Sequence, residues 1–279
     1  MKKFLKILLI VCALFVLMFL VYWRTGNDTE LKTVNYSVHS KKLSAPIRLA
    51  VVSDLHSCKY GEGQQELLDA MEVQAPDIVL LAGDIYDDTL PDELADIFLK
   101  AIGTRYRCYY IPGNHELRKL KDANIETLLA KVSAYGIAVL YGECETVTVN
   151  GSEVNICGLM EKEKAADFSA QSFSELSKAA ENGNFSVLMA HRPSRISTYL
   201  TGNFDLIVAG HAHGGQWRIP GVLNGLIAPN EGLFPKYAGG RYDFGDTTMI
   251  VSRGLALGKN VVPRIYNPPE LVIVDLLPG

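Results

Sequence analysis

No two of the five cysteines in this sequence form a CxxC pair. Cys12, Cys58, Cys108, Cys144 and Cys157 are dispersed, which excludes a zinc knuckle and a dense disulfide framework. Cys108 and Cys157 lie in strand-like apolar runs and read as small core residues. Cys144 and Cys157 are compatible with a bridge in an oxidising compartment, a pairing that sequence leaves open. Cys58, two residues after His56, reads as a bystander. Basic clusters are equally absent: the net charge is −4 and no run of lysine or arginine is dense enough for a nucleic-acid-binding face. No internal repeat or low-complexity tract occurs. Histidine is scarce too, at six residues, and its placement is what carries information.

With 279 residues, 48% of them apolar, the chain can hold one good-sized packed domain and an attachment. Lys2, Lys3 and Lys6 precede an uninterrupted apolar run from Ile7 to Trp23. With Phe4 and Leu5 it approaches the ~20 residues that span a hydrocarbon core. The basic flank favours a cytoplasmic N-terminus, and Tyr22 and Trp23 suit the far interface. A cleaved signal peptide is the rival reading, but the run is long and no small-x-small site follows. Residues 1–24 are therefore expected to be an uncleaved single-pass anchor, with the domain outside the cytoplasm.

Residues 25–46 are polar and weakly periodic, a tether or an edge hairpin. From Ile47 short apolar strands alternate with amphipathic helices. Strands are expected at Ile47–Ser53, Asp77–Ala82 and Cys108–Ile111, and helices at Glu62–Val73, Pro91–Ile102 and Ala123–Tyr135. This β-α-β-α-β order implies a parallel sheet with helical crossovers. Ile137–Leu140, Glu145–Val149 and Val154–Leu159 follow as strands, the last two joined at Asn150-Gly151, a strong hairpin signal. Helix Lys164–Glu181 and strands Ser186–Ala190, Asp205–Ala209, Thr248–Ser252 and Leu271–Leu276 complete the pattern. Two half-sheets facing each other, with helices outside, accommodate the succession over residues 47–279.

Five of the six histidines fall in Asp54-Leu55-His56, Gly113-Asn114-His115-Glu116, His191 and Gly210-His211-Ala212-His213, with Gly83-Asp84-Ile85-Tyr86-Asp87 between the first two. Only His39 lies outside. Every motif follows an apolar strand, and the C-terminal ends of strands are where open α/β sheets collect ligands. Each motif alone has a plain structural explanation, as a loop cap, a turn or a strand-end histidine. Together, and in this order, they form a mixed nitrogen and oxygen ligand set for two divalent ions, the usual machinery for breaking phosphate esters.

The ordered blocks D-x-H, GD-x-x-D, GNH-E/D, H and GH-x-H resemble those of calcineurin-like metallophosphoesterases, over roughly residues 47–276. The resemblance implies a four-layer α/β/β/α sandwich with a dinuclear centre at the sheet edges. It places Asp54, His56 and His213 on one ion and Asn114, His191 and His211 on the other, with Asp84 bridging. His115 becomes the proton donor or transition-state stabiliser, oriented by Asp87. Two carboxylates against two divalent ions leave a net positive centre suited to an anionic phosphate and an acidified water. Such ligands suit Mn²⁺, Fe or Zn²⁺ without selecting among them. Gly214-Gly215-Gln216, Ser252-Arg253-Gly254 and Pro263-Arg264 with Pro268-Pro269-Glu270 resemble the membrane-anchored bacterial branch.

The leading expectation is a phosphohydrolase acting on phosphodiesters or pyrophosphates, its substrate lipid-linked or from the cell envelope. Asp88 stands where phosphoprotein phosphatases of the superfamily carry arginine, which disfavours phosphoproteins. Enzymes cleaving UDP-diacylglucosamine share the resemblance, but an outward-facing domain would not meet cytoplasmic nucleotide sugars. A nuclease is disfavoured by the acidic balance, and a non-catalytic metal-binding scaffold by the absence of any broken ligand position. Arg118, Arg192, Arg253 and Arg264 are candidate phosphate contacts, with structural roles the simpler reading. Tyr60, Trp217, Phe234 and Tyr237 either line a substrate mouth or pack beneath loops.

Overall fold

The computed structural model describes residues 2–119, 125–159, 170–229, 231–257 and 263–279. Helix α1 (Lys2–Gly26) precedes β1 (Lys32–Ser40), β2 (Ile47–Val52), α2 (Gln65–Gln74), β3 (Ile78–Ala82), α3 (Glu93–Gly103) and β4 (Arg107–Ile111). Then come α4 (Asn114–Lys119), α5 (Ile125–Ser133), β5 (Ala138–Val139), β6 (Cys144–Val149), β7 (Ser152–Gly158), α6 (Ala170–Ala179), β8 (Phe185–Met189) and α7 (Ile196–Tyr199). Strands β9 (Leu206–Ala209), β10 (Ile227–Ala228), β11 (Gly232–Leu233), β12 (Gly240–Phe244), β13 (Thr247–Val251) and β14 (Glu270–Pro278) complete the chain. The first residues of the expected helices Ala123–Tyr135 and Lys164–Glu181 lie outside the described residues.

Two six-stranded mixed sheets run β1-β14-β2-β3-β4-β5 and β12-β13-β9-β8-β7-β6. Side-chain alternation builds the layers. In β2, Ile47, Leu49 and Val51 point between the sheets, where they meet Val154, Ile156, Val187 and Met189 of the other sheet. Ala50 and Val52 point the opposite way, into a second core with Leu67, Met71, Phe98 and Leu99 of α2 and α3. Across the molecule, Leu188 and Ile207 pack with Phe173, Leu176 and Tyr199 of α6 and α7. The result is the α/β/β/α sandwich. Each fully buried Leu, Ile or Val contributes roughly 1.5–3 kcal/mol, and a one-residue slip would exchange the two faces of a strand. Register is thus fixed by burial on both sides.

One expectation needs correction. Residues 32–40, read as tether or hairpin, form an edge strand paired in parallel with β14 from Lys32↔Glu270 to Ser40↔Pro278. Val38 is buried and joins the inter-sheet core. The pairing partner lies at the other end of the chain, so local patterning could not reveal it. Cys144 and Cys157 sit opposite each other on β6 and β7 and are joined as a disulfide.

Candidate metal centre

The motif residues stand on turns leaving the C-terminal ends of β2, β3, β4, β8 and β9, so both sheets contribute to one cleft. These turns are sharp. Asp54, His56, Asp84, His211 and His213 all adopt left-handed backbone conformations, with φ of 51°, 48°, 54°, 67° and 47°. A non-glycine residue held there costs about 1–3 kcal/mol, and hydrogen bonds between the turns offset it. The Asp54 carboxylate accepts from His211 N at 3.0 Å, and Asp84 Oδ1 accepts from His115 N at 2.7 Å. Asp54 N and His56 N donate to the carbonyls of Gly83 and Asp84, both at 3.0 Å. Gly83, with φ of 88°, admits no side chain: a Cβ there would lie 2.6 Å from His191 Nδ1.

Glu116, quoted in the motif but given no role from sequence, locks these turns together. Its Oε1 accepts from Ile85 N (2.7 Å) and Tyr86 N (3.0 Å), and its Oε2 from Asp84 N (3.0 Å) and Gly113 N (2.8 Å). The only signal available beforehand was its place in the motif.

The side chains fall into buried groups whose ligand atoms lie within 4.8 Å of one another: Asp54 with His56 and His213, and Asp84 with His191 and His211. A third group, His56, Asp84 and His115, makes Asp84 common to both halves. Hydrogen bonding settles what these atoms present. His191 Nδ1 lies 2.9 Å from the Ala82 carbonyl, which can only accept, so Nδ1 is the donor and Nε2 is directed at Asp84 Oδ2, 3.1 Å away. His56 Nδ1 is directed at Asp87 Oδ2 (3.2 Å), leaving His56 Nε2 buried without a hydrogen-bond partner, 3.8 Å from the equally unpartnered Asp84 Oδ2.

Rings oriented this way turn their Nε2 atoms toward a carboxylate. An unsatisfied buried polar atom costs about 1–3 kcal/mol, and a cation among them removes that penalty. Burial, reinforced by His191 near His211 and by His56 near His213, holds both rings well below the usual histidine range, in the neutral form that ligates metals. Burial pushes Asp84 up, but His191, His56 and His115 outweigh it and keep the carboxylate well below its ordinary value. The donor set fits divalent ions, with Ala82 O and Asp87 orienting the histidines from behind.

The model of the calcineurin-like phosphoesterases matches residues 47–215, more than half of the chain. The chain belongs to the calcineurin-like phosphoesterases. With its two buried clusters it is a dinuclear metal-dependent phosphoesterase, a hydrolase. It is 26% identical over 272 residues to the uncharacterized metallophosphoesterase YkoQ of Bacillus subtilis, covering 95% of this chain and 97% of that protein. It is 24% identical over 245 residues to the phosphodiesterase YaeI of Escherichia coli, covering 85% and 84%. TT1561 of Thermus thermophilus shares the fold, with a TM-score of 0.52 at 11% identity over 76% of this chain and 91% of that one.

In this phosphoesterase the expected pairing of His115 with Asp87 is not the hydrogen bond that forms. His115 Nδ1 lies 2.8 Å from Asp88 Oδ1 and 3.8 Å from Asp87 Oδ2. Asp87 is turned toward His56 because its Oδ1 accepts from Thr89 N, Thr89 Oγ1 and Leu90 N, which fixes the carboxylate. Asp88 Oδ2 in turn accepts from Arg118 Nε at 3.0 Å. Arg118 also faces Asn114. With the Asn114 amide nitrogen donating to His211 Nδ1 (2.7 Å), its oxygen accepts from Arg118 Nη1 (3.0 Å).

The remaining candidates of the phosphoesterase separate cleanly. Arg264 is buried and donates to the carbonyls of Arg253, Gly254 and Asn267, and Arg253 pairs with Glu270. Both are structural. Arg192 is buried and carries the backbone carbonyl that Tyr199 Oη donates to. Tyr60 and Tyr237 are buried, Phe234 is exposed, and Trp217 packs on α1. Cys58 accepts from Leu257 N and belongs to no ligand group among the described residues.

Proposed function

We propose that this phosphoesterase is a membrane-anchored phosphodiesterase of the bacterial branch, its catalytic domain outside the cytoplasm, cleaving phosphodiester or pyrophosphate bonds of lipid-linked or cell-envelope substrates. The observation that carries the reading is the join between centre and anchor. His213 is four residues from Trp217, at most about 14 Å along extended chain, and the Trp217 ring packs 5.8 Å from that of Trp23 and 6.3 Å from that of Phe19. A phosphate in a head group is therefore within reach of the cleft. The apolar α1 behind a basic flank and the Cys144–Cys157 disulfide support the outward orientation. The named activity of the YaeI relative supports the diester preference.

Within this reading Asp54, His56 and His213 would hold one ion, and Asn114, His191 and His211 the other, with Asp84 within reach of both groups. Divalent ions bound there would supply positive charge for a phosphate oxygen and would acidify a water toward a pKa of ~7. His115 Nδ1 is fixed by Asp88, and its Nε2 would supply a proton to the departing alkoxide when the ring is in its imidazolium form, which burial disfavours and the Asp84 and Asp88 carboxylates favour. The Arg118 guanidinium holds Asp88 in the ionised form: burial pushes that carboxyl up, but Arg118 and His115 bring it below the usual range. Asp87 acts one step back, orienting His56.

The test is hydrolysis by the full chain in detergent micelles, stripped with chelator and reloaded with Mn²⁺. Metal-dependent turnover of bis-p-nitrophenyl phosphate exceeding that of p-nitrophenyl phosphate supports the proposal. Preference for the monoester, or turnover indifferent to metal, refutes it.

A further inference from the structure

Residues 219–222, Ile-Pro-Gly-Val, form a turn with no charged side chain, all of it exposed, Val222 at 82% and Ile219 at 44%. The turn is well formed: Ile219 N donates to Leu223 O (3.0 Å) and Leu223 N to Ile219 O (2.8 Å). It is built against α1. Ile219 lines a groove with Phe15, Met18, Phe19 and Tyr22, and Tyr22 Oη donates to the Arg218 carbonyl at 2.7 Å. The end of the helix is seated just as closely. Tyr266 N donates to Gly26 O at 2.7 Å, and a Cβ on Gly26 would lie 2.5 Å from Ile265 Cγ2.

Depth follows from helix geometry. From Tyr22 back to Phe15 is roughly 10 Å along the axis at ~1.5 Å per residue. The apolar run Ile7–Trp23 covers about 26 Å by the same rise, already short of the ~30 Å hydrocarbon core. If α1 spans the bilayer, it has no apolar residue to spare, and the stretch beside Ile219 lies within the acyl chains. Phe234, further along the same segment, is another exposed apolar side chain. It is held at φ 57° and hydrogen-bonded through its N to Leu226 O, while Leu226 N donates to Trp217 O. A bulky residue in the left-handed region is an outlier, and here it displays an aromatic ring outward next to exposed Leu233.

We propose that the 219–222 turn inserts into the lipid bilayer beside α1, a second membrane contact that seats the metal centre at the head-group plane. The proposal rests on the anchored reading above, and it adds that the domain itself is partly immersed. The turn leads directly back through Trp217 to His213, and Asn267 Nδ2 holds the His213 carbonyl at 2.7 Å. Insertion of the turn therefore sets the height of the centre over the lipid.

The test uses the full chain in phosphatidylcholine–phosphatidylglycerol vesicles, labelled with a polarity-sensitive fluorophore. Native Cys12 is exposed on α1 while Cys58 and Cys108 are buried, so the unaltered chain reports the anchor. Cys12→Ala with Val222→Cys reports the turn, and Cys12→Ala with Asp69→Cys, an exposed position on α2, reports the aqueous domain. Insertion predicts that labels at 12 and 222 are quenched severalfold more by doxyl-lipid than by iodide, and the label at 69 the reverse. A label at 222 that behaves like the one at 69, while 12 is lipid-quenched, overturns the insertion and leaves the anchor intact. Protection of 222 from both quenchers means that protein covers the turn, which also overturns it. Iodide quenching at 12 defeats the anchored reading itself. Independently, Val222→Asp should lower turnover of a vesicle-embedded diester at least fivefold and leave that of bis-p-nitrophenyl phosphate unchanged. Equal effects on both substrates contradict insertion.

Discussion

Replacing Glu116 with glutamine changes one oxygen to an amide nitrogen with almost no change of shape. In the native arrangement four backbone N–H groups point at the two carboxylate oxygens, two at each. A glutamine offers one oxygen, so two buried N–H donors face an NH₂ group. Each costs about 1–3 kcal/mol, a total of roughly 2–6 kcal/mol. That is a large share of the ~5–15 kcal/mol that holds a domain together. A loss of about 4 kcal/mol lowers Tm by roughly 8–16 °C in a chain of this size. Burial and the neighbouring Asp84 push Glu116 up to about 7, against the pull of the N–H donors. The measurement therefore belongs at pH 8, where the carboxylate is ionised. Thermal unfolding of native and Glu116→Gln chains in micelles, with chelator and with Mn²⁺, gives the answer. The variant should also bind ions more weakly, because the Asp84 turn loses its clamp. A variant as stable as the native chain at pH 8, or more so, would show that Glu116 holds its proton and that the four-donor argument is wrong.

Asp84→Asn should abolish metal-dependent turnover and reduce ion content as read by elemental analysis, since this carboxylate groups both with His191 and His211 and with His56 of the other cluster; full activity would remove it from the centre. His115→Ala should lower kcat by about 10²–10⁴-fold, the range for a general acid, and leave ion content intact; loss of ions would make it a ligand. Asp88→Asn should reproduce the kcat defect of His115→Ala, whereas Asp87→Asn should weaken ion binding through His56. The opposite assignment would restore the pairing expected from sequence.

The layered fold was legible because burial imposes its period on the chain. Ile47, Leu49 and Val51 alternate with residues facing the helices, and the apolar run Ile78–Ala82 announces a strand covered on both sides. The cluster of histidines and aspartates was legible for a related reason: each motif terminates such a strand, so the sheets carry them to one edge. What stayed hidden depends on contacts between distant segments. The partner of β1 is the last strand of the chain, and no local pattern names it. His115 stands near two adjacent carboxylates, and only the Thr89 and Leu90 donors on Asp87 decide that Asp88 takes the hydrogen bond. Trp217 gave no sign of α1 in its own neighbourhood, because that contact joins residues nearly two hundred positions apart.

Only Asn27–Leu31 separate the end of α1 from β1, and the last helical residue is itself hydrogen-bonded to Tyr266. A link this short leaves no leash. If the helix is fixed in a membrane, the catalytic cleft travels as a passenger in two dimensions and samples only what diffuses past it in the same sheet of lipid. The variable that governs its rate is then the surface mole fraction of substrate. Diluting that substrate with inert lipid at constant bulk concentration should slow turnover in proportion, while adding empty vesicles should not.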